Sequence, residues 1–187
     1  MPDIRLHGRG GQGILAAGEI IARAAWYEGW QSHFFPFFGS ERSGSPVAAF
    51  VRLRKQEILT REQVSAPDIL VVQYESLLRE PDTMAGVSTK TKVAINSEKE
   101  QKHFQNIFRQ QNIKLTNRQF HLFDADNLAA QAGLARSANV VLAAWTGRNL
   151  LGLSYDAIKR AIEETFRDKD KAIIASNVRL AKTIFTL

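Results

Sequence analysis

The sequence predicts an α/β protein with a Rossmann-like, doubly wound and mostly parallel sheet, helices on both faces and a helical C-terminal region. Two observations carry this prediction. Apolar strand segments alternate with helical periodicity through the first two-thirds of the 187 residues, and helices fill the last third. A strand, a glycine loop and a helix open the chain, as in the first half of a βαβ unit. Residues 1–187 are expected to form a single domain, because no linker or repeat divides them.

The glycine loop follows a short strand in which Ile4 and Leu6 alternate with polar residues, and it leads into a helix predicted from about Gly11 to Tyr27. Glycine permits positive φ and lets backbone N–H groups approach an anion at a helix N-terminus. The candidate anion-binding residues are Gly8, Arg9, Gly10, Gly11, Gln12 and Gly13, which include the spacing G-x-G-x-x-G. A tight turn that only packs the helix on the strand is the competing interpretation.

A dinucleotide site needs more than this loop. It also needs an acidic residue at the end of the second strand, where a carboxylate holds the ribose hydroxyls. The second strand is predicted over Trp30 to Phe35, and Glu28 and Glu41 fall outside it on either side. No lysine follows Gly13, so the loop is not a P-loop. A stand-alone nicotinamide- or flavin-binding oxidoreductase is therefore the alternative interpretation.

The later strands are continuous apolar runs bounded by polar residues, as in strands buried on both faces. They are predicted over Val47–Leu53, Asp68–Gln73, Lys92–Asn96 and Phe120–Phe123, with a short helix over Glu75–Arg79. Pro36 interrupts a run of four phenylalanines after the second strand, which disfavours a central strand there. Those phenylalanines form either part of the core or an apolar patch for a partner chain.

The later helices are marked by their caps. Ser97 and Glu100 have capping-box spacing before a face of Phe104, Ile107 and Phe108. Asp124 is predicted to cap a helix that Gly133 closes. Three further helices are predicted over Ser137–Leu151, from Ser154 onward, and over about Lys169–Phe185.

Composition excludes several kinds of chemistry. The chain has no cysteine, which rules out disulfides, a thiolate nucleophile and cysteine-ligated iron–sulfur clusters on it. The four histidines are dispersed, so no metal site is expected. The net charge of +6 is moderate and scattered, and no apolar run approaches the roughly 20 residues of a membrane span. We expect a cytoplasmic protein that binds neither nucleic acid nor membrane.

A second polar loop, from Gly39 to Pro46, contains residues suited to binding. Glu41 and Arg42 could orient a substrate or partner, or could simply pair with each other. Ser43 and Ser45 have no nearby base, so a catalytic triad is not predicted. Asn139 and Asn177 lie in apolar helices, where a buried amide needs hydrogen-bond partners, either in a site or on the backbone.

Two of these motifs occur together in one family. The segment Gly8–Gly13 followed by Ala17 and Gly18, and the segment Phe38–Val47 followed by Phe50–Arg52, resemble the γ subunit of 2-oxoacid:ferredoxin oxidoreductases. The second segment is similar to the pyruvate and branched-chain branch, because the 2-oxoglutarate branch tends to have two glycines where this chain has Gly44-Ser45. Asn139 and Asn177 are weaker matches to the same family.

The resemblance implies one component of a multisubunit enzyme. Such an enzyme decarboxylates pyruvate or a related 2-oxoacid on thiamine diphosphate, transfers electrons through iron–sulfur clusters to ferredoxin, and transfers the acyl group to coenzyme A. Thiamine diphosphate and the clusters belong to other chains, so this chain is expected to be inactive alone, without catalytic residues. The resemblance implies that Gly8–Gly13 is first a structural glycine turn, and second a contact for coenzyme A, another anion or a partner chain. It also implies a partner- or substrate-facing loop at Gly39, Glu41, Arg42 and Gly44.

Overall fold

The computed structural model describes residues 2–38, 44–60, 62–116 and 118–187, with only the backbone of residue 38. The strands are β1 (Asp3–Arg9), β2 (Gln31–Phe38), β3 (Pro46–Arg54), β4 (Ile69–Val72), β5 (Lys92–Asn96) and β6 (Phe120–Phe123). The helices are α1 (Ile14–Tyr27), α2 (Pro81–Met84), α3 (Gln101–Gln110), α4 (Ala125–Gln131), α5 (Ala138–Thr146), α6 (Tyr155–Thr165) and α7 (Lys171–Thr186). A 3₁₀ helix spans Glu75–Arg79, and a π-helical turn, Gly147–Leu151, extends α5.

The strands form one six-stranded sheet in the order β2-β3-β1-β4-β5-β6. The pairs β1–β4, β4–β5 and β5–β6 are parallel, whereas β3 is antiparallel to both of its neighbours. Leu6 lies opposite Ala49 of β3 on one side and Val71 of β4 on the other. The predicted mostly parallel sheet is therefore confirmed, and β3 is the strand in it that runs in reverse.

The second strand lies at the edge of the sheet, which explains how it contains a proline. β2 continues through Pro36, opposite Ala49, and is longer than predicted. An edge strand tolerates a residue that cannot donate a ladder hydrogen bond. Phe34 and Phe35 pack against buried clusters, whereas the Phe37 side chain is 45% exposed. The aromatic run thus divides between the core and the surface.

Helices cover both faces of the sheet, as predicted. One face carries Ile4 and Leu6 and packs against α1 and the C-terminal helices α4 to α7. The opposite face carries Leu70 and Val72, which pack with Phe104 of α3 and with the segment that contains the 3₁₀ helix and α2. Along the described ranges, no helix is both long and apolar enough to cross a membrane.

Two predicted helix starts were wrong. Glu100 is itself the N-cap residue of α3 and makes no side-chain cap hydrogen bond, while the Ser97 hydroxyl accepts a hydrogen bond from the Lys99 backbone N–H at 3.2 Å. The serine therefore stabilises a turn that precedes the helix. Helix α1 begins at Ile14 because Gly11 and Gly13 have φ values of 80° and 78°, which are outside the helical region.

Other predicted ends are confirmed. The Asp124 carboxylate accepts a hydrogen bond from Asn127 N at 2.9 Å at the start of α4, and Gly133 has φ 72° after its end. The Ser154 hydroxyl accepts from Ala157 N at 3.2 Å at the start of α6. Capping residues were thus reliable where the acceptor side chain directly precedes the first helical turn.

Candidate functional site

The glycine loop lies where the connections change face. After β1 the chain passes into α1 on one face, whereas after β4 and β5 it passes into the 3₁₀ helix and α3 on the other. The carboxyl ends of β1 and β4 therefore flank the switch point of the sheet. Open α/β sheets bind ligands in the crevice at this position.

The loop is built for a close backbone approach. Gly11 and Gly13 adopt left-handed conformations, and Gly13 is the N-cap residue of α1. Gly13 has no side chain that could cap this end, so the first N–H groups of α1 lack a capping acceptor. The helix dipole adds a partial positive charge at the same point, so the local electrostatics favour an anion.

Two glycines are also required by packing. A Cβ on Gly8 would lie 2.4 Å from Gln73 Oε1 and 2.6 Å from Ile14 Cβ. A Cβ on Gly13 would lie 2.8 Å from Asn139 Nδ2. The tight-turn interpretation therefore accounts for Gly8, which packs the helix on the strand. Gly13 places a backbone turn against a polar side chain.

The structure brings the two sequence motifs together. Gly10 N donates to Ser45 O at 2.9 Å, and Gly44 N donates to Gly10 O at 3.2 Å. The Arg9 guanidinium donates to Gly44 O at 3.0 Å and to Ser76 Oγ at 2.9 Å. Gly44 thus lies against the glycine loop. The other candidates of the second motif, Gly39, Glu41 and Arg42, lie outside the described residues.

Gln73 is a site residue that the sequence reasoning missed. It directly follows β4 and is only 2% exposed. Its backbone N–H donates to His7 O at 2.9 Å, and its Nε2 donates to Gln12 O at 2.9 Å. Its Oε1 is buried and has no hydrogen-bond partner among the described residues. The available signal was a polar side chain at the end of an apolar run.

Asn96, at the end of β5, extends this arrangement to α4. Its Nδ2 donates to Gln73 O at 3.0 Å and to Asp126 Oδ2 at 2.8 Å, and its Oδ1 accepts from Ala125 N at 2.7 Å. A crevice of about 630 Å³ opens along this edge of the sheet. It is lined mainly by polar side chains, including Gln73, Tyr74, Glu75, Asn96, Asp124 and Asp126.

The rim of the crevice is charged. Glu75 Oε1 accepts from Lys99 Nζ at 2.9 Å and lies 2.6 Å from His103 Nε2. Burial acts to raise the pKa of Glu75, but these two partners outweigh it and lower the pKa. Burial raises the pKa of Tyr74, and the charge of Asp126 raises it further, against the opposing charge of Arg9. Glu75 is thus held ionised, and Tyr74 is held neutral.

The two asparagines singled out from the sequence differ in their surroundings. Asn139 on α5 is 7% exposed and lies against Gly13, and its amide makes no hydrogen bond to any described residue. Asn177 on α7 is also buried, and its Nδ2 donates to Ile173 O within the same helix at 2.9 Å. Asn139 is therefore part of the candidate site. Asn177 has only a backbone partner.

The sheet order weakens the nicotinamide interpretation further. In a dinucleotide fold the strand that follows the first helix lies beside the first strand. Here β3 separates β2 from β1, so the end of β2 is about two strand spacings, roughly 10 Å, from the glycine loop.

No group of three or more metal-ligating side chains occurs among the residues that the structure describes.

Comparison with known proteins gives a consistent family assignment. The family model described as pyruvate ferredoxin/flavodoxin oxidoreductase matches residues 3–187. The pyruvate synthase subunit PorC of Methanothermobacter marburgensis is 37% identical over 185 residues, which is 97% of each chain. The pyruvate/ketoisovalerate oxidoreductases common subunit gamma of Thermococcus kodakarensis is 36% identical over 186 residues, covering 99% of this chain and 96% of that one.

Solved structures show the same fold. The pyruvate oxidoreductase subunit PORC of Thermotoga maritima matches with a TM-score of 0.78 and 28% identity, over 98% of this chain and 94% of that one. The 2-oxoglutarate:ferredoxin oxidoreductase of Magnetococcus marinus matches with a TM-score of 0.71 at 19% identity. The latter match covers all of this chain but 31% of the larger one, and at this identity it shows the fold alone.

Proposed function

Because the chain belongs to the pyruvate ferredoxin/flavodoxin oxidoreductase family, we propose that it is the γ subunit of a multisubunit 2-oxoacid:ferredoxin oxidoreductase. The complex converts pyruvate or a related 2-oxoacid to the acyl-coenzyme A and transfers electrons to ferredoxin. The observation that carries this proposal is the match of the family model to residues 3–187. The γ and PorC subunits that resemble this chain also match over nearly their whole length.

We assign the redox and decarboxylation chemistry to other subunits. Thiamine diphosphate would bind to one partner chain and the iron–sulfur clusters to a ferredoxin-like partner chain. The absence of cysteine from this sequence supports that division for the clusters. Residues 1–187 would act as one γ-type domain, and the cytoplasmic location stays a prediction.

We further propose that the glycine loop holds a phosphate of coenzyme A. The cofactor supplies the thiol that accepts the acyl group. The loop and the start of α1 would offer backbone N–H donors, with Gly13 allowing the close approach. Asn139 has an unused amide beside Gly13 and would donate from Nδ2. These features fit a phosphate without any reacting group on this chain.

Arg9 would contribute by position. Its guanidinium is held between Gly44 O and Ser76 Oγ, so it fixes Gly44 against the glycine loop. Its charge lies beside the loop, whereas Glu75 and Asp126 line the crevice farther along the sheet edge. We therefore expect the phosphate between Arg9 and Asn139, away from the carboxylates.

Association with partner chains tests the γ-subunit assignment. A tagged form of this chain is coexpressed with a thiamine diphosphate-binding chain and a ferredoxin-like chain of this enzyme class. We expect the three to copurify with 2-oxoacid:ferredoxin activity, while the isolated chain binds no thiamine diphosphate and shows no visible absorption. Failure of the chain to associate with either partner would contradict the assignment.

A single charge change tests the phosphate site in the assembled complex. Asn139→Asp keeps the shape of the side chain but places a negative charge beside Gly13, and the KM for coenzyme A should rise about tenfold or more. Asn149→Asp is the matched control, because Asn149 is exposed in the turn that follows α5 and its Nδ2 donates to Trp145 O within the same helical segment. Equal KM values for coenzyme A in the two variants would show that coenzyme A does not bind at this loop.

The nicotinamide alternative is tested on the chain alone. Titration calorimetry with NAD, NADP and FAD should give no heat of binding, because β2, which ends at Phe38, has no acidic residue at its carboxyl end to hold the ribose hydroxyls. Binding of any of the three at micromolar concentration would revive that alternative. A bound sulfate at Gly10–Gly13 would not distinguish the two proposals, since the dinucleotides and coenzyme A all carry phosphate.

A further inference from the structure

A second cavity lies on the opposite side of β1 from the α1 core. Strand residues alternate between faces, so Ile4 and Leu6 contact the α1 side, and Arg5 and His7 lie on the other side. Arg5 is 5% exposed and His7 is 6% exposed. Two basic side chains in the interior of a sheet need a structural or functional reason.

Arg5 has a structural role. Its Nη1 donates to the carbonyl oxygens of Val64 and Ser65, and its Nη2 donates to those of Thr83 and Ala85. It therefore joins the segment before β4 to the segment at the end of α2. Gly86 lies at the same junction, where an added Cβ would be 1.9 Å from Ser65 O. These contacts join the two segments, and a cavity lies between them, β1 and β3.

The cavity has a volume of about 530 Å³, within the range of small-molecule sites. Its lining combines apolar and polar groups. The apolar side chains are Phe37, Pro46, Val47, Ala48, Phe50 and Val64, and the polar ones include Arg5, His7, Gln63, Glu80 and Asp82. The Phe37 and Phe50 rings are 6.2 Å apart, so they form an aromatic wall.

His7 is not satisfied inside this lining. Its Nδ1 lies 3.4 Å from Thr83 Oγ1, and its buried Nε2 has no hydrogen-bond partner in the described part of the chain. Burial, with the charge of Arg5 second, lowers the pKa of His7 to about 4, so the imidazole is neutral near pH 7. A neutral ring can exchange a hydrogen bond with a ligand and adds no charge to the cavity.

The main donor of the cavity offers an anion few free N–H groups. The four Nη hydrogen bonds of Arg5 already go to backbone carbonyls, which leaves little for a carboxylate ligand to bind. Glu80 and Asp82 are exposed, and neither forms an ion pair with a described residue. Burial lowers the pKa of Arg5 and the charge of Asp82 opposes this, so the two charges influence each other. A cation would meet two exposed carboxylates, of which Asp82 already interacts with the charge of Arg5.

We propose that this cavity binds a small amphipathic amine, with its aromatic or branched aliphatic body against Phe37 and Phe50 and its ammonium group toward Glu80 and Asp82. The cavity residues lie on β1 to β3 and around α2, away from the Asn139 side of the glycine loop. The site is therefore separate from the proposed coenzyme A contact, and neither proposal depends on the other.

Three probes of one shape test the charge requirement. The 187-residue chain is titrated with 2-phenylethylamine, 2-phenylethanol and 3-phenylpropanoate, and chemical shifts of the backbone amides and the His7 ring are followed by NMR. We expect saturable shifts at His7 and Ala48, with the amine bound about five- to tenfold more tightly than the alcohol and the carboxylate bound most weakly. Equal affinities for the three, or no saturable shift at 10 mM, would overturn the proposal.

Two variants locate the site. The double variant Glu80→Gln with Asp82→Asn removes the two exposed charges, so the amine should bind no better than the alcohol while the alcohol is unaffected. Ala48→Leu fills the cavity and should weaken all three probes. If Ala48→Leu unfolds the chain, Phe37→Ala replaces it, because Phe37 is 45% exposed and its loss removes the wall at little structural cost. If the double variant without the Glu80 and Asp82 carboxylates still bound the amine more tightly than the alcohol, the proposal would be refuted.

Discussion

Strand β1 supplies two sites, and they are built in different ways. Its carboxyl end leads into the glycine loop, whose residues are contiguous in the sequence. Its middle carries Arg5 and His7, which meet Val64 and Thr83 only through the register of the sheet and the path of the segments beside it. A contiguous site can be read as a motif, whereas a site assembled by register becomes visible only in the folded chain.

The largest expected effect comes from a substitution in the site assembled around Arg5 and His7. Arg5→Met removes the donors from four buried or partly buried carbonyl oxygens, and we expect a loss of about 3 to 5 kcal/mol in the free energy of unfolding. Arg23→Met is the matched control. Arg23 forms partly exposed ion pairs with Glu19 of the same helix and with Glu164 of α6, so its loss should cost about 0.5 to 1 kcal/mol. Denaturant unfolding measures both, and similar values would show that Arg5 does not hold the two segments.

The next effect is a dependence on pH that belongs to the assembled site. The pKa of His7 is about 4 in the folded chain, against 6.5 for the ordinary side chain, so the unfolded chain binds more protons between these values. Stability from this group is therefore fully present above pH 6.5 and is lost as the pH falls toward 4. The loss is about 3 kcal/mol as an upper value.

Unfolding curves at pH 7 and pH 4.5 check this expectation. Burial also lowers the pKa of His121, so the wild-type slope contains a second contribution of the same sign. His7→Gln isolates the first contribution, because it should flatten the slope relative to the wild-type chain. A slope that is the same in the wild-type chain and in His7→Gln would show that His7 is not buried as a neutral ring.

The smallest effect sharpens the contiguous site. Gly13 and Gly29 both have φ 78°, but a Cβ at Gly13 would meet Asn139, whereas a Cβ at Gly29 would meet nothing within 4 Å. Alanine at either position should cost about 1 kcal/mol for the left-handed backbone, and Gly13→Ala should cost about 1 kcal/mol more for the contact. Thermal or denaturant unfolding gives the difference, and equal losses would mean that Asn139 moves aside freely.

Periodicity and glycine placement were sufficient for most of the fold. The apolar runs that became β4 and β5, the caps at Asp124 and Ser154, and the helical C-terminal region followed from local sequence. The direction of β3 did not follow, because an apolar strand has the same composition whichever way it runs. The Ser97 capping box failed because the serine hydroxyl bonds a turn two residues on, a local competition that spacing cannot resolve.

The candidate site was predicted in its contiguous part only. The residues from Gly8 to Gly13 were assigned from their spacing, and the structure places them at the switch point of the sheet; that they bind an anion or coenzyme A stays a prediction. Gln73 and Asn96 were missed, because a single amide at the end of a strand has no distinctive neighbour in the sequence. Their roles come from the order of the strands, which brings three carboxyl ends to one edge.

The reversed direction of β3 has a consequence for how this edge can change. Because β3 runs against β1, its amino end, at Pro46, lies beside Arg9, and Gly44 and Ser45, which precede β3, form backbone hydrogen bonds with Gly10 of the glycine loop. A hairpin tip can gain or lose residues at a small entropic cost, which grows only slowly with loop length. The connection between β2 and β3 therefore borders the candidate site. A change in the length or sequence of this connection would alter the site while every strand keeps its register.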